Sequence, residues 1–108
     1  MTDRELLELA AKAAGIECTW IEHLQSMELI ELDACVNHWN PLTDDGDALR
    51  LSVKLNMTVR CYMGTTVAQI GTPGLKNAYE EVTDHTDPSA ATRRAIVRTA
   101  AEIGKAMP

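Results

Sequence analysis

This chain predicts an α+β fold, a single three-layer α/β/α sandwich with three helices and a small, mostly antiparallel sheet of four or five strands. Three observations carry that prediction. Helix-start signatures stand at Thr2, at Thr43-Asp44 and at Asp87-Pro88, each ahead of an amphipathic stretch. Between the second and third of these, residues 57–63 alternate apolar and polar with a period of two. The length of 108 residues suits one domain, 1–108. Three helices crowd one face of so small a sheet, so both faces are expected to be covered.

The first helix is placed at about 3–14. Thr2 and Glu5 form a capping-box pair, and Asp3 and Glu5 suit the positive end of the helix dipole. Leu6, Leu7, Leu9, Ala10, Ala13 and Ala14 make its apolar face, and Gly15 supplies a left-handed stop. Residues 17–22 carry the β-favouring Thr19, Trp20 and Ile21. In residues 28–36, Glu31 and Asp33 alternate with Ile30, Leu32 and Ala34, which predicts a half-buried strand. Glu, Leu and Ala also favour helix, so a helix over 28–36 stays open as the alternative.

Pro41 forces Asn40 out of helical space, and the second helix is placed at about 43–55. Thr43 or Asp44 caps it. Ala48, Leu49, Ser52, Val53 and Leu55 are predicted to face a sheet. Asn56 is a left-handed stop. A hairpin follows, with strands over 57–63 and 65–70 turning at Gly64. Pro73 and Gly74 fit the centre of a type II turn over 72–75. A last strand is placed over 77–83. Asp87 caps the third helix, Pro88 occupies its first position, and the helix runs to about Lys105. Ala91, Ala95, Ile96, Thr99, Ala100 and Ile103 form a narrow, small-residue face. Such a face lets a helix lie close to a sheet or another helix.

The charge limits the partners. The net formal charge is −6. Residues 1–50 carry three basic and eleven acidic residues, and residues 51–108 carry seven basic and five acidic. A general nucleic-acid binder neutralises phosphates with a basic surface, which this balance disfavours. The acidic half fits a basic surface on a protein partner, or serves only to keep the chain soluble. Cys18, Cys35 and Cys61 are odd in number and widely spaced, so neither a disulfide framework nor a zinc knuckle is expected. They read as reduced, mostly buried thiols. The charged start and the lack of an apolar run of ~20 residues predict a protein that is neither secreted by a standard signal nor membrane-inserted.

One family resemblance rests on two blocks. Trp39-Asn40-Pro41-Leu42-Thr43-Asp44 precedes an amphipathic helix, and Ala91-Thr92-Arg93-Arg94-Ala95-Ile96 opens an Ala-rich C-terminal helix. In this order and in a chain of this length, they resemble the phage ABA sandwich domain family, over nearly the whole chain. The resemblance implies an α/β/α sandwich and a small phage or prophage accessory protein in the host bacterial cytoplasm. It implies no activity and no catalytic residue.

Candidate binding residues fall into two groups. Trp39, Asn40, Thr43 and Asp44 are positioned to line a pocket at a helix N-terminus, where free N–H groups favour anions. Equally, Thr43 and Asp44 simply cap while Trp39 packs beneath the turn. Asp45 and Asp47 disfavour a phosphate there. Arg93, Arg94 and Arg98 form the one concentrated basic cluster in the sequence, suited to a phosphate or an acidic partner. The plainer reading gives them salt bridges to Glu102 or to the acidic N-terminal half.

Other motifs fail on spacing. A calcium loop starting at Asp44 needs Glu at its twelfth position, which is Leu55. Gly71-Thr72-Pro73-Gly74-Leu75-Lys76 lacks the phosphate-loop spacing, and Pro73 lacks an N–H. His23, His38 and His85 have no ligand partner one helical turn away, and no cysteine is marked as an activated nucleophile. No metal, cofactor or catalytic residue is therefore expected. The expectation is a non-enzymatic accessory protein that binds a host protein, as an inhibitor of host antiviral defence would, with homodimerisation open. The alternatives are a binder of a small nucleotide ligand, stacked on Trp39 and held by an arginine, and, last, a nucleic-acid-binding regulator.

Overall fold

A computed structural model describes residues 2–24, 26–29, 38–62, 65–70, 78–83 and 87–108. Helix α1 spans Asp3–Ala14, β1 Cys18–Ile21 and β2 Ser26–Leu29, with a 3-10 turn at Glu22–Leu24 between the two strands. Then follow β3 (His38–Trp39), α2 (Asp45–Lys54), β4 (Met57–Tyr62), β5 (Thr65–Ile70), β6 (Ala78–Thr83) and α3 (Pro88–Ala106). No helix among the described residues is long and apolar enough to cross a membrane.

Local chemistry sets the helix ends. The Thr2 hydroxyl accepts the Glu5 N–H at 3.2 Å, and Gly15 closes α1 at φ 69°. Asp44 accepts the Asp47 N–H at 2.8 Å to start α2, and Asn56 follows that helix at φ 54°. Asp87 accepts the Ala90 N–H at 3.0 Å, with Pro88 in the first turn of α3. Each side chain satisfies a donor that the helix itself leaves unpaired.

The fold is α+β, but its strands differ from the expected single sheet of four or five. The described residues form two three-stranded antiparallel sheets, ordered β1-β2-β3 and β4-β5-β6. In the first, Trp20 pairs with Met27, which also pairs with Trp39. The described part of strand β3 runs into Pro41, which lacks an N–H and so ends the pairing on that side. In the second sheet, β4 pairs with β5 from Met57↔Ile70 to Tyr62↔Thr65, and β5 with β6 from Thr65↔Thr83 to Ile70↔Ala78. The strand or helix expected over 28–36 begins as β2 through Leu29, and 30–37 lie outside the described residues, as do the turns at Gly64 and 72–75.

Helix α3 is the central packing element. It contacts α1, α2 and all three strands of the second sheet, and its contact with α1 is the most extensive. Of the expected small-residue face, Ala91, Ala95, Ile96, Thr99 and Ala100 are buried and Ile103 only in part, while Val97, Ala101 and Gly104, not expected there, are buried as well. Ala95, Val97, Ala100 and Ala101 share one core with Leu6, Leu7, Ala10, Ala11 and Ala14 of α1, and that core includes Met27, Trp39 and Leu51. At Gly104 a Cβ would lie 2.0 Å from the Leu9 carbonyl oxygen, so only glycine fits that crossing. The buried Thr99 hydroxyl donates to the Ala95 carbonyl at 2.8 Å, which satisfies it within its own helix.

Helix α2 is rotated from the expected orientation. Asp47, Ala48, Leu51 and Ser52 are buried, whereas Leu49 is 63% and Val53 67% exposed. Apolar residues at 48, 49, 51, 53 and 55 wrap too much of a helix to share one face. Asp47, bonded back to Asn40, lies on the same inward side as Ala48 and Leu51.

Candidate functional site

The segment from Trp39 to Arg50 folds as a self-bonded turn leading into α2. The Asn40 side-chain oxygen accepts the Leu42 N–H at 3.1 Å. Its carbonyl accepts the Thr43 and Asp44 N–H groups at 3.1 and 2.9 Å and the Thr43 hydroxyl at 3.4 Å. Asp47 is the keystone of this turn. Its carboxylate reaches back to accept the Asn40 N–H at 2.9 Å, while its other oxygen meets Arg50 at 2.6 Å. Arg50 also lies 3.8 Å from Asp44. A carboxylate this buried requires such partners, since burying an unpaired charge is costly.

Arg93 of α3 locks the turn from outside. Its Nε donates to the Leu42 carbonyl at 2.8 Å and its Nη1 to Asp45 at 2.6 Å. The Arg93 side chain is only 16% exposed, against 78% for Asp45. Trp39, 4% exposed, packs in the core beneath. A ring so buried offers no face for a nucleotide base to stack upon.

The two predicted groups therefore meet only in part. Trp39, Asn40, Thr43 and Asp44 sit together in the turn, and Arg93 joins them through Leu42 and Asp45. Asn40, Thr43 and Asp44 spend their hydrogen-bonding groups on the chain itself. Arg94 is engaged elsewhere, donating to Asp3 of α1 at 3.1 Å. Arg98 is half-buried one turn further along α3. Arg93 and Arg94 thus tie α3 to the acidic N-terminal half, through Asp45 and Asp3.

What the sequence missed is an open apolar groove of about 360 Å³ between α2, β4 and α3. Its walls include Ala48, Leu49, Val59, Cys61 and Ile96, with Asp45 and Arg93 contributing charge. Leu49 and Val53 lie one turn apart on the exposed flank of α2. The one available signal was the surplus of apolar residues on α2, more than a single inward face can hold.

The cysteines differ from the buried set expected of them. Cys61 is exposed, its sulfur 3.6 Å from the Thr92 hydroxyl, and Cys18 is half-buried. Burial, with a smaller contribution from Glu8, raises the Cys18 thiol above its ordinary pKa of 9.0 and so disfavours the thiolate. Cys35, His85 and the His23 side chain lie outside the described residues. Among the described residues, no three His, Cys, Asp or Glu side chains gather as a metal site would require. Compared with models of protein families, with curated proteins and with solved structures, the chain finds no match in any of the three.

Proposed function

We propose that this chain acts by binding a protein partner, and that the contact surface is the exposed flank of α2 with the adjoining groove. The exposure of Leu49 and Val53 beside an apolar cleft carries the proposal. Two large aliphatic side chains placed on the solvent side of a helix gain nothing for the fold, yet they supply the apolar centre that a protein interface uses. The net charge of −6, concentrated in residues 1–50, favours a partner with a basic rim, through steering and complementarity.

Under the resemblance to the phage ABA sandwich family, the partner is a host protein and the setting the host bacterial cytoplasm. The effect is inhibition of a host process such as antiviral defence. The reading involves no catalytic step and no cofactor, and it leaves homodimerisation through the same flank open. It extends to the sandwich layering that the resemblance implies, which the packing of α3 on β5 and β6 supports in one of its halves.

The test is native mass spectrometry of tagged protein drawn gently from host cells, run beside Leu49→Asp and Val53→Asp. A stoichiometric host protein on the parent chain, lost from both variants, is the expected result. Capture that persists in both variants would move the contact surface elsewhere. A bound mass of a few hundred daltons would instead favour a small ligand in the groove.

A further inference from the structure

No further inference is drawn: the strongest candidate, the apolar groove between α2, β4 and α3, belongs to the contact surface already proposed, and nothing in the structure shows what covers it.

Discussion

Asp47 and Gly104 hold this structure at single points, for opposite reasons. Asp47 supplies an acceptor to the Asn40 N–H and a charge to Arg50. Asp47→Ala leaves that part-buried N–H without its partner, and the expected loss is about 1–3 kcal/mol. Urea unfolding should read it as a lower midpoint with an unchanged slope. Gly104 matters because it has no side chain. Gly104→Ala drives a methyl into the Leu9 carbonyl, and backbone cannot yield as a flexible side chain would. Overpacking of this kind costs roughly 1–3 kcal/mol, offset in part by the ~1 kcal/mol that alanine gains over glycine within a helix. A fall in Tm is the expected result, and a Tm at or above the parent's would mean that α1 and α3 lie further apart than described. Cys18 should be alkylated by iodoacetamide at pH 8 more slowly than a free cysteine. Its raised pKa also sets a sign. The thiol's contribution to stability is complete below its ordinary value of 9.0 and is lost as pH rises through the raised value.

At the scale of elements, α2 separates stability from recognition. Leu49→Asp and Val53→Asp alter side chains already largely in water, so each should shift stability by no more than about 0.5 kcal/mol. Leu51→Ala, two positions from each, removes a fully buried side chain and should cost about 2–5 kcal/mol. Comparable destabilisation by all three would mean that the helix is turned differently. The same helix marks where sequence stops being informative. Its cap at Asp44 and its stop at Asn56 were legible, because capping is decided within three or four residues. So were the limits of α1 and α3 and the hairpin strands β4 and β5. The rotation of α2 was not legible, because its apolar residues wrap too much of the helix to share one face. Likewise, alternation marked the strands but not their partners, and the described residues pair as two three-stranded sheets where one was expected. The arginines were visible as a cluster, whereas their acids, Asp45 and Asp3, stand 48 and 91 positions away in the chain.

For the whole molecule, the uneven charge becomes a measurable property. If a basic-rimmed partner docks, its association rate should fall steeply between low and physiological salt, because the Debye length shrinks from ~30 Å at 0.01 M to about 8 Å at 0.15 M. Dissociation should depend more on the apolar contact than on salt. A salt-independent association rate, measured by stopped flow, would separate the acidic half from recognition.

The pairing of the first helix with the last also sets a timetable for synthesis. Helix α1 buries its apolar side chiefly against α3, yet 73 residues separate Ala14 from Pro88. At about 5–20 residues per second, a ribosome needs roughly 4–15 s to make that stretch. Throughout that interval the leucines of α1 lack their chief cover, since outside α1 only Met27, Trp39, Ala48 and Leu51 of the buried residues in their shared core precede α3. The newborn chain is then at its most exposed to chaperones, proteases and its own neighbours, and it leaves that state only when its last helix has emerged.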